Sequence, residues 1–268
     1  MFKKFYGFSL NPFDKNFITA KDAFASRDHK EAVARLNYLK DTRGIGVLTA
    51  RAGMGKSFAL RCFASSLNPA LYQAAYICLS TVSVTDFYQQ LCHVLQVEPS
   101  SRKNHMFRDI QDRLFYLAKE KRSPLVLMID EAQELSAPIL KDLKMIMNHA
   151  YDSLNCFALV LCGEPHLNHT LQKPVHEALR QRITVHYNYG GLSEQETAAY
   201  ITHKFALAGA PGIILGEGVL AAVHGYAAGN PRTIDSLMAE ALALGAQLGL
   251  ETLSTDIIMA ATNNLALI

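Results

Sequence analysis

The segment at residues 50–57, with the sequence ARAGMGKS, limits the possible folds of this 268-residue chain more than any other. It follows the apolar run 45–49 and precedes a helical pattern, so it predicts a loop between a buried strand and a helix. Its glycines let successive backbone N–H groups curl around a phosphate, Lys56 reaches the phosphate oxygens, and Ser57 can bind Mg²⁺ at a helix N-terminus. Ala50 stands where the phosphate-loop pattern has glycine, which is compatible with a negative φ.

A second signal is the run PLVLMIDE at residues 124–131, an apolar strand that ends in two carboxylates. Ligands of open α/β sheets bind at the carboxyl ends of the strands. Asp130 would hold the metal through water, and Glu131 would polarise the water that attacks the γ-phosphate. A strand that merely ends in an acidic turn is the alternative, and the upstream loop disfavours it. The two motifs together predict ATP and Mg²⁺ as ligands and ATP hydrolysis as the reaction.

Between and around these motifs, apolar segments of strand and helix type alternate, and the chain shows no repeat. Alternation of this kind predicts an α/β fold with a parallel sheet between helices. The predicted helices are 28–39, 58–66, 87–95, 106–119 and 137–150, and the predicted strands are 45–49, 74–79, 125–129 and 157–161.

The pattern changes near residue 190, where strand signals end and glycine-rich turns separate apolar helices. Ser193 can cap the first of these helices, with Glu196 as its capping-box partner. We therefore predict two domains, an α/β nucleotide-binding domain at 1–190 and a small all-helical lid at 191–268. The predicted lid helices are 194–207, 218–227, 231–248 and 255–265.

The formal net charge is only +2, so any contact with nucleic acid must come from a local basic strip. The N-terminus is interrupted by Asn11, Pro12 and Asp14 where a signal peptide needs an apolar core. No run approaches 18 apolar residues. These features predict a cytoplasmic protein without a membrane segment.

Further motifs resemble those of a group of AAA+ ATPases that includes ExeA-type secretion ATPases and the transposition regulators of the TnsC, TniB and MuB type. The resemblance spans nearly the whole chain, and the order and spacing of its motifs are specific. Besides the two phosphate motifs it is carried by Phe5-Tyr6-Gly7-Phe8, Asn11-Pro12-Phe13, Ser26-Arg27-Asp28-His29, Leu161-Cys162-Gly163-Glu164-Pro165, Ala178-Leu179-Arg180-Gln181-Arg182-Ile183, Gly191-Leu192-Ser193-Glu194-Gln195-Glu196-Thr197 and Gly229-Asn230-Pro231-Arg232.

The resemblance implies roles for individual residues. Arg232 becomes the sensor-2 arginine that points from the lid to the γ-phosphate, and Arg182, with Arg180 as its rival, becomes the arginine finger that enters a neighbouring subunit's site. Glu164 holds the sensor-1 position, although an ionised acid cannot donate a hydrogen bond to phosphate. The nucleotide-binding set is then Ala52, Gly53, Met54, Gly55, Lys56, Ser57, Phe58 and Arg232, with Ser57 and Asp130 for the metal.

Among possible functions, we favour an ATP-dependent regulator that oligomerises on duplex DNA as a ring or filament and recruits a transposase. Its DNA contacts would come from two basic pairs, Arg102 with Lys103 and Lys141 with Lys144, although a solvated basic face explains each pair equally well. The alternative is an ExeA-type cytoplasmic ATPase that assists assembly of a secretion or envelope complex. A metabolic P-loop kinase is a third possibility, but it has no use for Glu131 or for the two implied arginines.

Overall fold

The computed structural model describes residues 2–14, 19–78, 83–210, 212 and 215–265, and the chain folds into two compact units. The sheet unit contains residues 31–52 and 56–189, and the helical unit contains residues 1–30, 53–55 and 190–268. The division predicted at residue 190 differs from this, since residues 1–30 and 53–55 group with the C-terminal helices. For the N-terminus the physical reason is the burial of aromatic side chains in the helical unit.

The described residues form one sheet of five parallel strands, β1 (Ile45–Thr49), β2 (Gln73–Cys78), β3 (Leu125–Asp130), β4 (Ala158–Gly163) and β5 (Ile183–Asn188). Their order in the sheet is β2-β3-β4-β1-β5. This confirms the predicted α/β P-loop fold. The fifth strand was not predicted, and residue 79 of the second predicted strand lies outside the described residues.

Helices follow the strands and cover the sheet. The described α-helices are α1 (Phe2–Tyr6), α2 (Arg27–Thr42), α3 (Lys56–Ser66), α4 (Val84–Leu95), α5 (Lys103–Lys119), α6 (Ala137–Ile146), α7 (His166–Gln172), α8 (Glu177–Arg180), α9 (Glu194–Leu207), α10 (Val219–Ala227), α11 (Pro231–Gln247) and α12 (Thr255–Leu265). Helix α6 ends four residues before its predicted end, and α1, α7 and α8 were not predicted.

Alternate residues of each strand face opposite sides of the sheet, so a strand buried on both sides is apolar throughout. In β3, Leu127 and Ile129 pack with α4, α5 and α6, whereas Val126 and Met128 pack with α2 and α3. The sheet unit therefore has two hydrophobic layers. The apolar strands hold the ends of β1, β3 and β4 at one edge, where the sequence places its polar motifs.

The core of the helical unit is built from α9 to α12 together with aromatic side chains from the N-terminus. Phe8 and Phe13 are buried, and both rings pack against Phe205 of α9. Burying such rings stabilises a fold by about 2 kcal/mol each, which explains why the N-terminus joins this unit. The predicted capping box of Ser193 and Glu196 is confirmed at the start of α9.

None of the helices within the described residues is both long and apolar enough to cross a membrane.

Candidate functional site

Lys56 is the first residue of α3 and is buried, with only 7% of its surface exposed. Its Nζ donates to the carbonyl oxygens of Ala50 at 2.7 Å and of Arg51 at 3.2 Å, so the ammonium group closes the loop from within. Gly53 and Gly55 have φ of +83° and +89°, a conformation that side chains disfavour. Ala50 is absent from the positive-φ residues of the described chain, as its side chain requires. The loop thus has the backbone conformation that the phosphate-loop motif predicts.

The end of β3 brings a carboxylate to the start of α3. Ser57 Oγ donates to Asp130 Oδ2 at 2.5 Å, and the hydroxyl of Tyr76 on β2 donates to the same oxygen at 2.8 Å. The backbone N–H of Glu131 donates to Asp130 Oδ1 at 3.0 Å. Asp130 is almost completely buried, so three donors stabilise a charge that water does not reach. Burial, and then the carboxylate, raise the pKa of Tyr76, so its hydroxyl stays protonated and donates.

Glu131 adopts a left-handed backbone with φ of +54°. For a residue other than glycine this conformation costs on the order of 1–3 kcal/mol, and such residues cluster at functional sites. The Gln133 side chain bridges Glu131 to the chain after β4: its Nε2 donates to Glu131 Oε2 at 2.6 Å, and its Oε1 accepts from the Glu164 N–H at 3.0 Å. Glu164 therefore contributes its backbone here, while its carboxylate lies 3.8 Å from Nδ1 of His166.

A neutral amide also lies at this edge of the sheet. Asn168 on α7 donates from Nδ2 to Thr49 Oγ1 at 3.1 Å and to Asn188 Oδ1 at 2.9 Å, which joins the ends of β1 and β5. His186 contacts Asn168 Oδ1 at 3.0 Å. Unlike Glu164, an amide can donate a hydrogen bond to a phosphate oxygen.

Tyr76, Gln133 and Asn168 were all missed by sequence reasoning. Each acts through a hydrogen bond to a residue on another element or across a turn, so spacing along the chain carries little of the signal. The two-residue separation of Gln133 from Glu131 was the one local clue.

In the helical unit, which includes the glycine tip Gly53–Gly55, the backbone N–H of Arg232 donates to the carbonyl of Gly53 at 3.3 Å. A Cβ at Gly53 would lie 2.6 Å from Asn230 Oδ1, so no larger residue fits there. Asn230 caps α11 by accepting from the N–H groups of Arg232 and Thr233. The side chain of Arg232 is exposed.

The remaining residues of the predicted nucleotide-binding set are Ala52, Met54 and Phe58. Ala52 is exposed in the loop, and Met54 Sδ lies 3.4 Å from the place of a Cβ on Gly191 within the helical unit. Phe58, on α3, stacks under the guanidinium of Arg61 at 4.9 Å.

Of the two candidate finger arginines, Arg180 is the last residue of α8 and Arg182 follows it by two positions, and they differ in their partners. Arg180 is exposed and donates to the carbonyls of Leu171 and Gln172 at 3.1 and 3.0 Å. Arg182 is half-buried, forms an ion pair with Asp152 and donates to the Lys144 carbonyl at 3.3 Å.

The residues predicted to contact DNA do not form one unpaired basic strip. Lys103 forms an ion pair with Asp142 of α6 at 2.6 Å, so its charge is locally neutralised. Arg102 and Lys141 are exposed, and Lys144 is partly buried. Surface charges paired in this way contribute little to a phosphate-binding field.

The chemistry of these groups fits ATP with Mg²⁺. Mg²⁺ prefers oxygen ligands and retains several waters, and the edge of the sheet offers the hydroxyl of Ser57 beside the buried carboxylate of Asp130. The loop offers backbone N–H groups and one ammonium. Within the described residues no group of three or more His, Cys, Asp and Glu side chains could hold a metal by itself.

Comparison with known proteins agrees with this geometry. Residues 39–171 match the AAA domain family. The chain is 33% identical over 246 residues to General secretion pathway protein A of Aeromonas hydrophila, a match that covers 90% of this chain and 44% of that protein, so the chain spans less than half of its length.

Solved structures show the same fold at low identity. Cdc6p of Pyrobaculum aerophilum superimposes with a TM-score of 0.72 at 14% identity, over 94% of this chain and 70% of that one. The ORC1 protein of Aeropyrum pernix, solved in complex with DNA, gives 0.68 at 16% identity, over 95% and 68%. At such identities the likeness establishes the fold alone.

Proposed function

From an AAA domain on a P-loop NTPase fold, we propose that this protein binds ATP with Mg²⁺ and hydrolyses it to ADP and phosphate. The observation that carries the proposal is the hydrogen bond between Ser57 Oγ and Asp130 Oδ2, which joins the end of the phosphate loop to the end of β3. Two motifs far apart in the chain thereby meet at the edge where α/β sheets bind ligands.

In this proposal Lys56 binds the β- and γ-phosphates, and the N–H groups of the loop hold the remaining phosphate oxygens. Ser57 and Asp130 hold the metal, which when bound neutralises charge developing on the phosphates. Glu131 orients a water towards the γ-phosphorus: the oxygen of water bonds to phosphorus, the bond to the bridging oxygen breaks, and a water proton passes to the carboxylate.

The proposed domain roles follow the resemblance. Residues 191–268 act as a lid, and Arg232 acts as sensor 2; the bond from its N–H to the Gly53 carbonyl supports this placement. Arg182 or Arg180 acts as the finger of a homo-oligomer. Arg180 is the more exposed of the two, and its partners are neutral carbonyls, so it leaves its place at lower cost than Arg182.

For the biological role we propose the ExeA-type alternative, an ATPase that serves a secretion or envelope assembly. It is supported by the relative named for general secretion, which aligns with 90% of this chain. The role as a transposition regulator, favoured on sequence, has no such relative behind it. The ion pair of Lys103 with Asp142 also partly neutralises one of the four residues predicted to contact DNA.

Glu131→Gln tests the reaction. The variant keeps the phosphate loop and Asp130, so it should bind ATP as the wild type does while turnover falls by about 100-fold or more. Nucleotide binding is measured with a fluorescent ATP analogue and turnover by phosphate release. Wild-type turnover in this variant would remove Glu131 from the mechanism.

Glu131→Gln, which should bind ATP without hydrolysing it, also tests the proposed biological role. Light scattering with ATP reports its oligomeric state, and fluorescence anisotropy on random duplex DNA across a salt series reports DNA binding. The secretion reading predicts no nucleotide-dependent DNA binding at low salt. Strong, cooperative and salt-sensitive binding that needs ATP would instead support the transposition reading.

A further inference from the structure

The side chain of Gln133 has only one possible orientation at the end of β4. The Glu164 N–H can only donate, so the amide oxygen must face it; the amide nitrogen then faces the carboxylate of Glu131, which accepts. If the amide were flipped, its nitrogen would face the Glu164 N–H, a donor against a donor, and its oxygen would face the Glu131 carboxylate, an acceptor against an acceptor. Gln133 is therefore a fixed donor to Glu131 rather than a freely rotating neighbour.

Close packing holds the amide in place. A Cβ at Gly163 would lie 2.6 Å from Gln133 Oε1 and 3.2 Å from the Gln133 backbone nitrogen. The last residue of β4 thus has no room for a side chain, and the amide lies directly against the strand. Movement of this strand end and movement of Gln133 are coupled by contact.

Only one oxygen of Glu131 is used by this contact. Oε2 accepts from Gln133, and Oε1 has no hydrogen-bond partner in the part of the chain that the structure describes. A carboxylate pinned at one oxygen loses rotational freedom, and the other oxygen is presented in one direction. This is the geometry needed to orient a water.

We propose that Gln133 is a positioning residue: it holds the Glu131 carboxylate for the attacking water and ties it to the end of β4. This inference rests on the proposed ATPase function. Gln133 does not touch substrate in this scheme, so its loss should lower kcat and leave nucleotide affinity unchanged. Residues that orient a catalytic group through a hydrogen bond typically contribute about 10- to 100-fold to activity, so we expect a kcat loss of about 10- to 100-fold.

Two substitutions in the 268-residue chain separate the two bonds of the amide. Gln133→Leu removes both, whereas Gln133→Glu keeps an acceptor for the Glu164 N–H and, when both carboxylates are ionised, places an acceptor instead of a donor against Glu131. We expect kcat to fall in both variants. Hydrogen exchange of the Glu164 amide, measured by NMR, should quicken only in Gln133→Leu, which shows that Gln133→Glu keeps the local fold.

Gln111→Leu is the matched control, because Gln111 also donates through its amide, to the carbonyls of Met145 and Asn148 away from the phosphate loop. It should retain wild-type kcat. Wild-type kcat in Gln133→Glu with Glu164 still protected would overturn the positioning role, as would a loss of ATP affinity equal to the loss in kcat. If the wild-type chain hydrolyses no ATP and Lys56→Ala leaves binding unchanged, the proposed function fails, and the inference fails with it.

Discussion

The two units of this protein treat their buried charges in opposite ways. In the sheet unit, the ammonium of Lys56 is bonded to backbone carbonyls and the carboxylate of Asp130 to hydroxyl and N–H groups. In the helical unit, Lys204 and Asp235 are bonded to each other at 3.3 Å, and Tyr200 completes the cluster by donating to Asp235 at 2.8 Å. Charges held by neutral groups remain available to a charged ligand, whereas charges that cancel each other serve the fold. Burial of a charged side chain therefore does not by itself identify a ligand site.

The largest effect should come from Lys56→Ala. It removes the one ammonium held in the phosphate loop, so hydrolysis should fall by about 1000-fold, near 4 kcal/mol, with little change in thermal stability. Phosphate release and a fluorescent ATP analogue measure the first, and a melting curve followed by circular dichroism measures the second. A large fall in stability with normal ATP binding would reverse the assignment of the two clusters.

Lys204→Met should show the opposite pattern. It leaves the Asp235 carboxylate buried without its cation, which we expect to cost about 3 kcal/mol of unfolding free energy, while ATP binding by the folded chain stays normal. Denaturant unfolding measures the loss. Adding Asp235→Asn to this variant removes the stranded charge, so the double variant should regain most of the stability. A single variant as stable as the wild type would show that the pair is not structural.

The same cluster makes stability depend on pH. Burial, opposed by Lys204 and the hydrogen bonds, raises the pKa of Asp235 to about 6. The folded chain then keeps a proton that the unfolded chain releases near pH 4, so this contribution to stability is complete below pH 4 and is lost as pH rises through 6. The wild type should lose roughly 2 kcal/mol more than Asp235→Asn between pH 4.5 and 6.5. Denaturant unfolding at several pH values measures this difference. An equal loss of unfolding free energy in the two proteins between pH 4.5 and 6.5 would contradict the raised pKa of Asp235.

The smallest effect concerns Tyr76→Phe, which deletes one of three donors to Asp130. We expect the Mg²⁺ concentration for half-maximal hydrolysis to change by about threefold, on the order of 1 kcal/mol, with kcat at saturation retained. Tyr72→Phe is the control, since the Tyr72 hydroxyl donates to the Asp41 carboxylate at the same 2.8 Å. Equal shifts in both variants would deny Tyr76 a specific part in the metal site.

Much of the fold can be predicted from the spacing of apolar residues, because the buried faces of long helices recur at a regular helical period. Helices α9, α11 and α12 begin and end within one residue of their predicted limits. Strand β5 was overlooked although Ile183, Val185 and Tyr187 alternate with polar residues, a pattern typical of a strand. Its neighbours α7 and α8 are short, and short elements carry little periodicity.

The candidate site likewise contains residues that the sequence predicts and residues that it does not. Lys56, Ser57, Asp130 and Glu131 belong to motifs whose spacing follows from phosphate chemistry, so their positions in the chain are informative. Tyr76 belongs to no such motif, since its contact with Asp130 depends on the register of β2 against β3, where Cys78 pairs with Asp130. Register is a tertiary property, and the apolar patterns of the buried strand β3 and the partly exposed strand β2 do not determine it.

The ion pair between Arg182 and Asp152 would limit the association of subunits if Arg182 is the arginine finger that enters a neighbouring subunit's site. The arginine must leave Asp152 first, so subunits would associate through the fraction of molecules in which it is already free. A half-exposed pair worth about 1 kcal/mol leaves that fraction near one in six, and the apparent affinity between subunits falls by the same factor. One carboxylate would thus set the concentration at which the protein assembles without touching the nucleotide.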